Sequence, residues 1–518
     1  MLNDERFYGH TALIDEEHGV ETKEGPNPAI FDPQLFREHA EAILPTLESH
    51  LADHSIRGLK LVEPAILLSL AKDLMTKEQG AVVPFDREKF KAIIDLYIKT
   101  GIQVHSPGFM GRQFSGVVPL AGVVDMVSSI VNQPSSFYEA GQLPNVAERI
   151  MANEFNQFIG YQPDRFTMIT TSGGSLANLT ALLAARNDKF PTVWNEGLWA
   201  FEGQLRPAIA ISEEAHYSVS RAAGILGIGE NQLVRLPINQ AGQIDITKVP
   251  QALEAAEQRG LKVFCMVASA GTTSMGAFDD IDQLADIAGT KDIWLHIDGA
   301  HGGSLLVSDE LRHKLKGIQK ADSLTWDAHK MLFVPSPCSL LFYRNKEKSY
   351  AAFKQVASYV FEKEPNIYTE FDSAEKNFEC TKRPMIMNLW VLWALHGRAL
   401  FSNKVDHLCK LARHACRILE KEPDFQVLHQ PESNILCFRY LPKELDNYSI
   451  ADFQVEIRNR VCKHGQFFIS KVDIHGESAL RVVFMNHEIK MSHFRMLLQA
   501  VVKSGQQVIN EYQQHPKQ

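Results

Sequence analysis

SLTWDAHK, residues Ser323–Lys330, and IWLHIDGAH, residues Ile293–His301, decide how this chain is read. Each is a short apolar run that ends in small and charged residues. A strand buried on both faces of a parallel sheet has that pattern, because helices cover it on either side. FTMITTS (166–172), PAIAISEEAH (207–216) and KVFCMVASAG (262–271) repeat it, with amphipathic helical stretches between them. Alternating strands and helices predict an α/β domain with a mostly parallel sheet. Sheets of that kind hold ligands at the carboxyl ends of their strands.

On either side the pattern changes. Residues 1–102 read as a polar arm, to about residue 30, and then a helical segment carrying LLSLAKDLMTK and FKAIIDLYIKT. Residues 103–395 form the large domain. Residues 396–518 run helix (VDHLCKLARHACRILEK), strand (NILCFRYL), helix, strand (ALRVVFMN) and a final helix, which predicts a small α+β domain.

Composition removes several classes of function. With 45% hydrophobic and 22% charged residues, the 518-residue chain is of ordinary globular make-up. A formal net charge of -9 argues against a nucleic-acid binder. The charged N-terminus lacks the apolar core of a secretory signal. The most apolar stretch, Val117–Val131, is broken by Pro119 and Asp125, so no membrane span is expected. Seven cysteines are scattered without a CxxC pair, the usage of a reducing compartment, and the cytoplasm is the expected location.

Four features fall together at the ends of these strands. Lys330 closes one strand, where partial desolvation favours Schiff-base chemistry. Asp298 closes another and is followed by the small residues Gly299 and Ala300. Thr171-Ser172-Gly173-Gly174-Ser175 is a small-residue loop opening a helix, where N–H groups and hydroxyls hold phosphate. His216 lies between a strand and a helix, where an imidazole can stack on a flat ring. Pyridoxal 5′-phosphate (PLP) asks a protein for these four things: an amine, a carboxylate for its pyridine nitrogen, phosphate donors and a surface against its ring. Taken singly, each has a plainer reading as a turn lysine, a turn aspartate, an N-cap or a structural histidine. The combination decides. A metal reading of His296, Asp298 and His301 fails, because His301 lies past the turn and no fourth ligand is evident, so no metal is expected.

The order SGGSLAN (172–178), EAHYSVSRAA (214–223), AGTTSMGAFDDI (270–281), WLHIDGAHGGS (294–304) and DSLTWDAHKML (322–332) resembles the group II PLP-dependent amino acid decarboxylases. These include the glutamate, cysteine-sulfinate, aspartate, aromatic and diaminobutyrate decarboxylases. The resemblance covers roughly residues 100–400. It implies that Lys330 forms the Schiff base, that Asp298 partners the pyridine nitrogen and that His216 stacks on the ring and helps handle protons. It further implies that Gly174, Ser175 and His329 contact the phosphate, and that Thr273 and Ala300 lie close to the ring. The fold implied is PLP fold type I, aspartate aminotransferase-like, with a mostly parallel seven-stranded sheet and a small α+β C-terminal domain. Active sites of the family form at a homodimer interface, so at least a dimer is expected. One departure matters: Asp327-Ala328 stands where the family usually has Asn-Pro. An aspartate facing a phosphate dianion would repel it, so Asp327 is not assigned to the phosphate.

Three further stretches look closest to the glutamate and cysteine-sulfinate enzymes. Gly111-Arg112-Gln113-Phe114-Ser115-Gly116 resembles the segment that contacts the distal acid, which nominates Gln113 and Ser115. FDSAEKNFECTKRP (371–384) resembles a second family segment. SALRVVFMNH (478–487) resembles the stretch whose arginine binds the substrate α-carboxylate, which nominates Arg481. The expected reaction is decarboxylation of glutamate to GABA, with aspartate to β-alanine or cysteine sulfinate to hypotaurine as alternatives. An aromatic or diaminobutyrate decarboxylase, or a lyase or aminotransferase on the same fold, stands further off. His301 occupies a position where relatives often carry Trp or Tyr. The family's mobile-loop tyrosine, which protonates the product carbanion, aligns near Ile367 and makes Tyr368 the candidate acid.

Overall fold

The computed structural model describes residues 32–76, 84–198, 205–353, 368–445 and 448–514. The arm expected over residues 1–30 lies outside them. The chain forms two compact units, residues 1–53 with 62–101, and residues 54–61 with 102–518.

The first unit carries three helices, Pro33–Leu51, Pro64–Asp73 and Arg87–Thr100. Asp32 caps the first by accepting from the N–H of Gln34, and Asp86 caps the third by accepting from the N–H of Lys89.

The second unit is built on two sheets. The larger contains β1 (Thr167–Thr171), β2 (Arg206–Ser212), β3 (Leu233–Leu236), β4 (Leu261–Ser269), β5 (Trp294–Asp298), β6 (Ser323–Asp327) and β7 (Ser339–Tyr343). Their order across the sheet is β1-β7-β6-β5-β4-β2-β3. β7 runs antiparallel to both of its neighbours, and the β3-β2-β4-β5-β6 run is parallel. This is the mostly parallel seven-stranded sheet expected of fold type I. Every residue of β5 and β6 is buried, including Trp294 and Trp326, so their apolar runs are explained by cover on both faces. The sequence pattern did not mark β3 and β7. β7 enters between β1 and β6 in the reverse sense, so strand–helix alternation gives no sign of it.

The smaller sheet is antiparallel, in the order β10 (Ser470–Ile474), β11 (Glu477–Val483), β9 (Ile435–Tyr440), β8 (Phe425–Val427). Before the first strand of the large sheet, residues 108–111 are stitched to this smaller sheet. Phe468 N–H donates to Gly108 O, Met110 N–H to Phe468 O, and Val483 N–H to Met110 O, at 3.0, 2.9 and 2.8 Å. The approach is so close that a Cβ at Gly108 would lie 2.2 Å from the carbonyl oxygen of Gln466. Only glycine fits there.

One buried ion pair braces the large sheet from the side. Lys382 Nζ lies 2.7 Å from Glu148 Oε1, with Lys382 fully buried, and the Thr170 hydroxyl of β1 donates to the same carboxylate oxygen. Among the described residues, no helix is long and apolar enough to cross a membrane.

Candidate active site

The parallel register sets the residues of interest side by side. Ser269 at the end of β4 pairs with Asp298 at the end of β5, which in turn pairs with Thr325 of β6. Lys330 follows the end of β6 by one turn, its N–H donating to Asp327 O. The helix Gly174–Lys189 opens at the same edge. A Cβ on Gly174 would meet the Asp327 carboxylate oxygens at 2.8 and 2.9 Å, so the loop after β1 lies directly against the end of β6. Gly174 and Ser175 thus bring a helix start to the carboxylate of Asp327, whose other neighbour is Lys330.

Asp327 thus stands as a carboxylate against this helix start, held by its own partners. It is buried, accepts from the Ser339 hydroxyl and lies 3.1 Å from Lys330 Nζ and 3.7 Å from His329 Nε2. Burial alone would raise its pKa, but Lys330, His329 and Ser339 outweigh that and hold it below the usual carboxylate range. His329 is tied in turn to Cys338, its Nδ1 lying 2.9 Å from the carbonyl oxygen and 3.2 Å from the backbone nitrogen of that residue.

Asp298 is nearly buried and accepts from Asn178 Nδ2 at 2.9 Å and from the N–H of Ala300 at 3.2 Å. His216 caps the next helix, accepting the Ser218 N–H on Nδ1 at 3.3 Å with Ser218 Oγ 2.8 Å away. Burial pushes its pKa down, Asp298 and Asp327 pull it up, and Lys330 and Arg221 push it down again. Thr273 is exposed on the loop after β4, whereas its neighbour Thr272 is spent on the turn, accepting from the N–H of Ala277.

Arg481 of β11 is buried. It donates from Nε to Ser274 O at 3.0 Å and from Nη1 to Gly111 O at 3.2 Å, and its Nη2 has no partner among the described residues. Burial lowers its pKa to about 10. Gln113 Nε2 is likewise buried and unpaired among the described residues, while the Ser115 hydroxyl donates to His329 O at 3.4 Å. His301 is buried, its Nε2 2.6 Å from Asn434 Oδ1, and burial together with Lys330 drives its pKa down to about 3.

Tyr368 stacks on Tyr138, with centroids 5.3 Å apart, and is half exposed. Ile367 and the thirteen residues before it lie outside the described residues. Sequence reasoning passed over Asn178 and took His296 only as a rejected metal ligand. The signal for Asn178 was an amide inside the apolar helix run LANLTALLAAR, four residues after Gly174.

The arrangement fits PLP. A half-buried lysine, a buried carboxylate on the adjacent strand and a glycine-opened helix start meet at one sheet edge, and Arg481 keeps an unused buried donor nearby. The comparisons agree. A family model described as the pyridoxal-dependent decarboxylase conserved domain matches residues 84–441. The chain is 29% identical to cysteine sulfinic acid decarboxylase of Rattus norvegicus over 86% of its own length and 90% of the relative's. It is 28% identical to aromatic-L-amino-acid decarboxylase of Bacillus atrophaeus, covering 75% and 79%. Among solved structures it superposes on mouse CSAD in apo form with a TM-score of 0.83 at 25% identity, covering 92% of this chain and 99% of that one.

Proposed function

From the premise that the chain belongs to the pyridoxal-dependent decarboxylase family, and so uses PLP to release carbon dioxide from an amino acid, we propose that its substrate is a small acidic L-amino acid, cysteine sulfinate foremost. The observation that carries the reading is a pair of buried donors without a partner among the described residues, Arg481 Nη2 and Gln113 Nε2. An unmade hydrogen bond on a buried donor costs about 1–3 kcal/mol, and a ligand with acceptors at both ends recovers it. The relatives named cysteine sulfinic acid decarboxylases move the first choice from glutamate to cysteine sulfinate, with aspartate and glutamate behind it. These acids differ by about a methylene or by a sulfinate for a carboxylate, a difference a pocket resolves by only ~1–3 kcal/mol.

When bound, PLP supplies a sink for the electron pair left as the Cα–carboxylate bond breaks. Lys330 would hold its aldehyde, Asp298 its ring nitrogen, and Gly174, Ser175 and His329 its phosphate, and Thr273 and Ala300 would lie close to the ring. Arg481 grips the α-carboxylate and fixes which bond to Cα stands ready to break. His216 would stack on the ring and hold a proton for the reaction, and Gln113 and Ser115 would meet the distal acid. Tyr368 is the candidate donor of the proton that replaces the carboxylate.

A homodimer is part of this reading. The helix Pro119–Val131 leaves Val123, Met126, Val127 and Ile130 exposed, and this spacing makes one continuous apolar stripe. A second copy of the chain is the partner proposed for it, and the cytoplasm is the proposed compartment, in keeping with seven free cysteines.

The deciding experiment offers purified protein and PLP a panel of L-amino acids while carbon dioxide and amine are measured. Cysteine sulfinate is expected to give the highest kcat/KM, and Lys330→Ala to abolish both turnover and the visible absorbance of bound cofactor. A chain that takes up no PLP, or prefers an aromatic substrate, would overturn the proposal.

A further inference from the structure

Beneath Asp298 and His216 runs a chain of hydrogen bonds, buried for most of its length, in which one assignment of donors and acceptors satisfies every link. Trp294 Nε1–H donates to Ser323 Oγ at 2.8 Å. Ser323 Oγ accepts there and also lies 2.8 Å from His296 Nδ1, to which it donates when the ring proton is on Nε2. His296 Nε2 then carries the ring proton and donates to Asn178 Oδ1 at 3.0 Å. The Asn178 amide cannot be turned round, because its Nδ2 faces the carboxylate of Asp298 at 2.9 Å, which only accepts. The same Nδ2 donates to Ser218 Oγ at 3.0 Å. Ser218 Oγ lies 2.8 Å from His216 Nδ1, and the Ser218 backbone N–H donates to that nitrogen at 3.3 Å, so Nδ1 is an acceptor and the Ser218 hydroxyl can donate to it as well. Two donors on Nδ1 leave the neutral ring's own proton on Nε2.

We propose that Asn178 is a positioning residue that joins the two halves of the site, orienting the Asp298 carboxylate with one amide hydrogen and, through Ser218, fixing the proton of His216 on Nε2 with the other. The inference rests on the roles proposed above for Asp298 and His216. His296 is the anchor of the chain. It is fully buried, and burial pushes its pKa down to about 4, so it stays neutral and keeps its acceptor turned to Ser323. The charged groups facing His216 are Asp298 on β5, Asp327 and Lys330 at the end of β6, and Arg221 on its own helix, with the Tyr217 ring 4.2 Å away between centroids. Asn178 thus does for this site what an outer-shell carboxylate does for a metal-bound histidine, setting a tautomer from behind.

Two variants separate the halves. In Ser218→Ala the hydroxyl that donates to Nδ1 is gone, and protonation of His216 becomes easier. A hydrogen bond of about 0.5–1.5 kcal/mol corresponds to roughly half to one pH unit. The acid limb of kcat/KM is expected to move up by that amount while kcat at the plateau changes little. Asn178→Ala should move the limb as far and also lower plateau kcat by about 10–100-fold, because Asp298 loses a charge-assisted donor of roughly 1.5–3 kcal/mol. A readout apart from turnover is 15N NMR of histidine-labelled holoenzyme, with the His216 signals assigned by their loss in His216→Gln. Wild type should show an unprotonated Nδ1 and a protonated Nε2, and both variants a mixture. Wild-type pH profiles in both variants, or a wild-type His216 proton on Nδ1, would overturn the inference. Should Asn178→Ala fail to fold, Ser218→Ala and the wild-type spectrum still decide it. Failure of the decarboxylase reading looks different, as a wild type that neither takes up PLP nor releases carbon dioxide.

Discussion

Arg481 donates from Nε to the carbonyl oxygen of Ser274 at 3.0 Å, seating a guanidinium of the C-terminal sheet beside the loop that follows β4. Thr273, the residue before Ser274, is the one nominated for contact with the cofactor ring. Two of the guanidinium's nitrogens are spent on holding this pose, and Nη2, without a partner among the described residues, is the one proposed to meet the substrate. Arg481→Lys keeps the charge but loses the planar fork. Removing one member of a desolvated charge pair costs about 2–5 kcal/mol, so kcat/KM should fall by roughly two to three orders of magnitude in Arg481→Lys and in Arg481→Ala. Cofactor absorbance should stay near normal. Wild-type kcat/KM in both variants would assign the α-carboxylate to another residue.

Tyr368 can be tested without disturbing its packing, because Tyr368→Phe keeps the ring that stacks on Tyr138. Only the hydroxyl is lost. If that hydroxyl is the acid that quenches the carbanion, side products such as aldehyde should rise more than amine formation falls. Chromatography of the products over many turnovers measures this split, and clean amine at the wild-type rate would place the acid elsewhere.

Acid should unfold the protein by a route that the buried histidines set. Burial puts the pKa of His296 at about 4 and that of His301 at about 3, both below the 6.5 of an ordinary histidine. The unfolded chain therefore binds protons that the folded chain refuses, and the stability these residues contribute is complete above pH 6.5 and is lost as pH falls below it. Between pH 7 and pH 5 each costs roughly 2 kcal/mol. Asp279 works in the opposite sense. Burial raises it to about 6, against the two backbone N–H groups of Ile244 and Ser269 that it accepts, and it returns about 1 kcal/mol over the same interval. The sum is a loss on the order of 2–3 kcal/mol. Urea midpoints at the two pH values should show it, and a midpoint that holds level or rises would contradict it.

The Lys382–Glu148 pair should matter more when broken than when replaced. Lys382→Met leaves a buried carboxylate without its cation and should lower unfolding free energy by about 3–5 kcal/mol. Lys382→Met combined with Glu148→Gln should recover most of that loss, since no unpaired charge remains. Denaturant unfolding of the two variants beside wild type measures the difference, and equal losses in both would show that the pair acts through packing alone.

How far the sequence could be read depends on what each residue's position advertises. Asp298 and Lys330 were legible because they end apolar runs, and a parallel sheet brings such ends together whatever the helices between them do. β7 was not, because an antiparallel strand inserted between β1 and β6 leaves no trace in the strand–helix rhythm. Asn178 and Ser218 were hidden for a different reason. Each is an ordinary polar residue on a helix, and its meaning lies in a partner more than a hundred residues away for Asn178 and forty away for Ser218. The departure at Asp327 was visible as a conflict with phosphate, whereas the partners that hold its carboxylate, Ser339 and Lys330, needed β7 in place.

The stitching of residues 108–111 to the smaller sheet reaches beyond architecture. Gly111 O accepts from both Ser470 and Arg481, so the segment leading to Gln113 and Ser115 and the strand bearing Arg481 share one mount, although 370 positions separate them in the chain. The groups proposed to read the substrate thereby move as one set, which is itself hydrogen-bonded to the edge proposed to hold the cofactor, through Ser115 to His329 and Arg481 to Ser274. A chimera that borrows only one of the two segments from a relative would misfit at Gly108 and Gly111, and an exchange of substrate preference has to move both as a matched pair.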